Sequence, residues 1–307
     1  MKYSASLIFL IIGTIACNSP SSNKNLEKEN AQLKSELELY KNIEVNRLKA
    51  IQHSATRTFK LEDERYILSV LFDTEEFDID GRAVWTPNFN ESLNFPISYD
   101  GFCYTKMDKI LLYNDGFSRA IIVFCTYAVL DDGNPDIGRT SSPMLSIAYF
   151  TQRDSDKWEL SAFKKIFTYH GSWGEIGDIE MKQINKQNFA LELAWGYTEM
   201  GETLEWTSYY SIPYFMPIFY SITAKSFTGH ENGDDKAYSY KVKLTVDSTS
   251  DKEYADIIAS TSGTKPDETE DKVVSAYNDQ TFYYDEQAGV YVEQKFIETE
   301  IILDQSL

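Results

Sequence analysis

The stretch FCYTKMDKILLYNDGFSRAIIVFCTY, Phe102 to Tyr127, consists of two apolar-rich runs joined by Asn114-Asp115-Gly116. An Asx-Gly step between two such runs signals a β-hairpin, because these residues reach positive φ at little steric cost. Folding the chain there predicts strands over 102–113 and 119–130 and sets Cys103 opposite Thr126 to Ala128. The same period of two extends outward. Phe189, Leu191, Leu193 and Trp195 alternate with Ala190, Glu192 and Ala194, and Tyr238, Tyr240, Val242, Leu244 and Val246 alternate with polar residues. Both runs read as half-buried strands. Further strands are predicted over 65–72, 144–151, 157–168, 178–184, 204–212 and 216–224. Phe282–Tyr284 and Val290–Val292 flank DEQAG and predict a closing hairpin. No long helical pattern interrupts this series, which argues against parallel βαβ units. The expected fold is mainly β: an antiparallel sandwich, a barrel or a partial propeller-like domain. The 21 Tyr and 18 Phe suit it, since aromatic rings fit pleated, half-buried surfaces. A faint repeat between IFTYHGSWGEIG (166–177) and IFYSITAKSFTGHENG (218–233) keeps the propeller among the three.

The chain before this region has a different character. Residues 25–52 contain neither Gly nor Pro, and Leu26, Leu33 and Tyr40 fall seven apart with Asn30 and Leu37 between them. That pattern predicts a helix with a short coiled-coil seam, and self-association through residues 25–43. The seam ends where Glu44 and Arg47 occupy its next positions, and the competing reading is a single amphipathic helix serving as a stalk.

Residues 1–16, MKYSASLIFLIIGTIA, have one early Lys, a short apolar middle and small residues at the end. They are too short to span a bilayer and have the form of a secretory signal. Cys17 follows directly, and Thr14-Ile15-Ala16-Cys17 resembles the lipobox of bacterial lipoproteins, with Thr14 where Leu is commonest. The resemblance implies cleavage before Cys17, acylation of its sulfur and anchoring in a membrane of the cell envelope. Asn18, not being Asp, would by the same resemblance direct sorting to the outer membrane. The competing reading is an ordinary secretory signal. The expected organisation is a signal peptide over 1–16, a Ser/Asn/Pro tether over 17–24, the helical stalk over 25–52 and a β-rich globular domain over 57–307.

A net charge of −19 and a pI of about 4.6 exclude a phosphate-binding surface of clustered Lys and Arg, and with it nucleic acid as a partner. The expected function is that of a lipid-anchored, non-catalytic envelope protein, a binding or structural module whose partner is an envelope protein or a glycan. The enzyme alternative is a cell-wall or glycan hydrolase using paired carboxylates, although the sequence singles out no pair.

Few residues suggest chemistry, and none is assigned a catalytic role. Cys103 and Cys125 would pair in an oxidising compartment, but the hairpin makes them diagonal neighbours that need a bulge to meet, and two buried free thiols are the alternative. His53, His170 and His230 lack the paired spacing of zinc ligands. His170-Gly171-Ser172-Trp173-Gly174 departs from the nucleophile-elbow pattern and reads as a Gly-rich turn packed by Trp173. Glu76, Asp78, Asp80 and Gly81 resemble the opening of a calcium loop, yet Pro87 stands where an EF-hand needs Glu. Calcium is the one cofactor this suggests, against solvated acids on a loop. Asp131–Asp136 and Glu231–Asp235 pose the same choice.

Overall fold

The computed structural model describes residues 58–87, 101–130, 132–138, 141–228, 237–267 and 272–294. The expected signal, Cys17, the tether, the stalk, His53, His230 and the acids at 231–235 lie outside the described residues. The described chain is mainly β and antiparallel, and it divides into two compact units, Met1–Tyr169 and His170–Leu307.

The first unit holds β1 (Thr58–Phe59), α1 (Glu64–Phe72), β2 (Ala83–Trp85), β3 (Cys103–Asn114), β4 (Ser118–Ala128), β5 (Met144–Asp154) and β6 (Lys157–Tyr169). Its sheet runs β1-β6-β5-β4-β3-β2. The hairpin read from the sequence is β3–β4: Asn114 pairs with Ser118, and Gly116 turns the chain at φ +101. β4 is central, so its run Ala120 to Ala128 is buried on both faces, the reason it reads as continuously apolar rather than alternating.

The expected strand over 65–72 is instead α1. Asp63 caps it by accepting a hydrogen bond from the Tyr66 backbone N–H at 3.1 Å. Ile67, Leu68, Leu71 and Phe72 are buried, the spacing of one helical face rather than of a pleat. That face lies on the sheet, where Phe72 meets the rings of Trp85, Phe124 and Phe163 at 5.4, 5.6 and 5.7 Å. Burying each such side chain contributes about 1.5–3 kcal/mol. A polar chain crosses this core without leaving a group unsatisfied: Trp85 Nε1 donates to Thr105 Oγ1 at 2.7 Å, and Thr105 Oγ1 lies 2.7 Å from Thr126 Oγ1. The Lys165 ammonium sits 3.9 Å over the Trp85 ring, a cation–π contact that helps offset its desolvation.

The second unit holds β7 (Asp178–Gln183), β8 (Phe189–Glu199), β9 (Glu202–Ser211), β10 (Pro217–Phe227), β11 (Tyr238–Val246), β12 (Ile257–Pro266), β13 (Val273–Ser275), β14 (Asn278–Asp285) and β15 (Val290–Glu293). The order is β15-β14-β12-β11-β10-β9-β8-β7, with β13 beside β12. The sheet curls into a half-barrel. Phe219 of β10 thereby meets Phe282 of β14 at 5.3 Å, past the two strands between them in the sheet, and Tyr291 of β15 at 5.9 Å, past three. The loop after β7 closes against the loop before β12: Ala255 N donates to Ile184 O at 3.3 Å, and Asn185 Nδ2 donates to Lys252 O at 2.8 Å.

Candidate functional site: an aromatic sheet face

β8 and β9 pair without a register shift from Ala190–Ser211 to Glu199–Glu202. Directly paired residues point to the same side of a sheet. Trp195 therefore stands beside Trp206, and Trp206 beside Ile222 of β10. In the next row Tyr197, Leu204, Lys225 and Tyr240 follow one another across four strands. The Trp195 and Trp206 rings meet edge to face at 4.3 Å and 87°, and Tyr197 lies 6.0 Å from each. These are favourable aromatic geometries. The perpendicular pair does not form a flat platform. Tyr197 is 39 % exposed and Ile222 36 %, while the two Trp rings are half-buried.

A polar flank adjoins the rings. Lys225 Nζ lies 2.9 Å from Glu202 Oε1, and that hydrogen bond raises the lysine's pKa above its usual value against the opposing effect of burial. Tyr240 and Tyr238 stand opposite Lys225 and Phe227. This arrangement offers ring faces and edges, one ion-paired donor and phenol hydroxyls.

The turn before β7 closes against the rings. Ser172 and Glu175 exchange backbone hydrogen bonds at 3.0 and 2.9 Å, with Trp173 and Gly174 between them at φ +57 and +71. Positive φ at both central residues marks a type I′ turn, a conformation seldom adopted by a bulky residue. Contrary to expectation Trp173 does not pack the turn: it is 59 % exposed. His170 packs it, buried to 5 % exposure, with its ring 6.4 Å from Trp195. Its Nε2 makes no hydrogen bond. Burial holds the imidazole pKa down to about 4, against smaller upward pulls from the Asp178 and Ala194 backbone and the Asp178 charge. His170 is therefore neutral at pH 7.

The other residues singled out by sequence do not converge. Cys103 pairs with Ala128 as the hairpin implied, and Cys125 pairs with Lys106. The expected bridge is not formed: an odd separation puts the two residues on opposite faces of the hairpin, and both are buried and unbridged. The one register shift between these strands, at Met107/Lys109, comes beyond both cysteines and does not turn them together. Burial first, then Asp108, pushes the Cys125 thiol up to about 12.

Asp78 and Asp80 do sit on one turn, but their cation is Arg82. Its Nε lies 2.5 Å from Asp78 Oδ2 and its Nη2 lies 2.9 Å from Asp80 Oδ2. Asp78 Oδ1 also accepts from the Asp80 and Arg82 backbone N–H groups. Glu76 points to solvent. Among the described residues no group of three or more His, Cys, Asp or Glu could hold a metal ion. Asp132 and Asp136 cap local turns through Asn134, Gly138 and Ser141.

The period of two predicts a half-buried strand over Phe189 to Trp195 but does not mark Trp206. A signal was present: in WGYTEMGETLEW the two Trp residues are equidistant from Met200-Gly201, so a hairpin turning there sets them opposite each other. Comparison of the chain with protein-family models, with curated proteins and with solved structures finds no match.

Proposed function

We propose that this chain is a lipid-tethered, non-catalytic binding module of the bacterial cell envelope, and that the Trp195–Trp206–Tyr197 face engages envelope glycan. The observation that carries the reading is the cluster of three rings within about 6 Å of one another, partly open to solvent and flanked by Lys225 and Glu202. A sugar ring has an apolar C–H face that can lie on an aromatic side chain and hydroxyls that can meet a fixed donor and acceptor. The acidic balance of the chain suits a neutral ligand better than a phosphorylated one. Acylation at Cys17 would hold the protein at a membrane. A helix over residues 25–52 would carry the sheets away from it by roughly 42 Å at about 1.5 Å per residue.

Two experiments test the parts separately. Titration of the full chain with solubilised peptidoglycan fragments should quench Trp fluorescence, and Trp195→Ala should weaken the affinity about fivefold or more, the loss typical of a central aromatic contact. Unaltered affinity in that variant would refute the assignment of the face, and capture of a protein partner in place of glycan would refute its ligand. Cys17→Ser should abolish labelled-palmitate incorporation and release the protein from membranes. Unchanged incorporation would refute the anchor.

A further inference from the structure

We propose that His170 is an acid-operated latch on the aromatic face: taking up a proton, its imidazole leaves its cradle, the 170–177 turn opens and Trp195 loses its support. The inference rests on the reading of this face as the working surface, but its test addresses the ring directly and needs no ligand.

The cradle is built by close backbone approach. A Cβ on Gly177 would stand 2.4 Å from Ala194 O, 2.8 Å from His170 Nε2 and 2.9 Å from Trp195 Cβ. A Cβ on Gly171 would stand 1.8 Å from Glu175 O. Turn, imidazole and β8 are therefore packed so closely that the imidazole cannot swing to a new partner without the turn separating from β8. Nε2 has no hydrogen bond in this closed state. Neutral imidazole tolerates that, because the unprotonated nitrogen carries only a lone pair. The cation must place a second N–H there, and burying its charge costs more than the Asp178 and Ala194 backbone can return.

The groups facing His170 offer little compensation. β8 contributes the Ala194 backbone, whose hydrogen bonding favours the cation by less than burial disfavours it, and Trp195, which does not titrate. The turn contributes Glu175, whose carboxylate is exposed while its carbonyl closes on Gly171. β7 contributes Asp178, the charged side chain that favours the cation; it is exposed, so water screens it. With the turn open the imidazole is hydrated and binds its proton at an ordinary histidine value, near 6.5. Protonation and opening are thus one linked event, with a midpoint between the closed-state value of about 4 and 6.5.

The test follows Trp emission and acrylamide quenching of the full chain from pH 7.5 to pH 4 at fixed ionic strength, with far-UV circular dichroism alongside. The expected result is a reversible red shift and increased quenching with a midpoint between about 4 and 6.5, while the strand signal persists. The chain has five Trp residues, so Trp195→Phe must remove the change. His170→Gln, which fills the cradle without titrating there, must abolish the transition. An unchanged emission across the window, or the same midpoint in His170→Gln, would overturn the latch. Should that variant fail to fold, imidazole proton resonances of the wild-type chain decide. With His53→Gln and His230→Gln to assign them, His170 should titrate in step with the Trp195 indole N–H, and ordinary titration of all three histidines with a static indole signal would overturn it. Loss of glycan binding at neutral pH would refute the proposed ligand and leave this result untouched.

Discussion

Alanine at Gly177 isolates the contact that joins the turn to β8. Gly177 is not among the residues with positive φ, so an added methyl brings no backbone strain of its own. Its Cβ would nevertheless stand 2.4 Å from Ala194 O, where ordinary contact begins at 3.4 Å, so the turn must retreat by roughly 1 Å. Overpacking of this kind costs about 1–3 kcal/mol. The upper half of that range is expected, because the nearest obstacle is a backbone carbonyl rather than a mobile side chain. Gly116→Ala is the control: φ is +101 but nothing lies within 4 Å of the new Cβ, leaving only the left-handed penalty of about 1–2 kcal/mol. Gly171→Ala combines φ +96 with an approach of 1.8 Å to Glu175 O and should cost more than either, about 3 kcal/mol or beyond. Urea unfolding followed by Trp fluorescence and by circular dichroism should rank the variants Gly171, Gly177, Gly116 from most to least destabilised. Only the first two should shift Trp emission at pH 7. If Gly177→Ala stays within about 0.5 kcal/mol of wild type, as an ordinary surface change would, the turn does not close on β8 and the reasoning fails.

Two further predictions concern buried groups. In a chain carrying Cys17→Ser, denaturation without reductant should expose both remaining thiols to alkylation, whereas the native protein should react slowly because Cys103 and Cys125 are buried and Cys125 is held near 12; protection of both thiols in the denatured chain would demonstrate a bridge. Tyr209 is fully buried, its hydroxyl makes no well-formed hydrogen bond although Glu192 stands beside it, and burial first, then Glu192, raises its pKa far above the ordinary tyrosine value. Tyr209→Phe should therefore be neutral or stabilise by up to about 1 kcal/mol in urea unfolding, and a loss of more than about 1 kcal/mol would mean that Glu192 accepts from that hydroxyl.

The strands were legible wherever side chains alternate or a turn residue punctuates them, as in β3–β4, β8, β11 and the β14–β15 hairpin. The segment Arg65 to Phe72 was misread because a short, nearly continuous apolar run fits a buried strand as well as a helix; Asp63 and the 67, 68, 71, 72 spacing decide for the helix. β12, with the run Ala259-Ser260-Thr261-Ser262-Gly263, was missed because small polar residues carry little alternation. The failure of the cysteine pair follows from parity once the hairpin register is fixed, since Cys103 opposite Ala128 leaves Cys125 an odd number of residues away. The acidic turn misled because its cation, Arg82, adjoins the motif in sequence, and only the folded turn brings the guanidinium onto both carboxylates.

By itself, then, the sequence determined what is local: the period of two, the Asx-Gly turn, and so the antiparallel pairing of neighbours in the chain. These depend on backbone sterics and on side chains a few residues apart. Tertiary structure alone decided which faces are buried, that the strands divide between two sheets, and that the second curls far enough for β10 to meet β15. It also decided the state of His170, whose burial comes from the close approach of Gly177, Ala194 and Trp195. An isolated histidine beside a glycine carries no mark of how closely a strand some 24 residues later will approach it; that closeness is a property of packing, where long-range contacts are settled together.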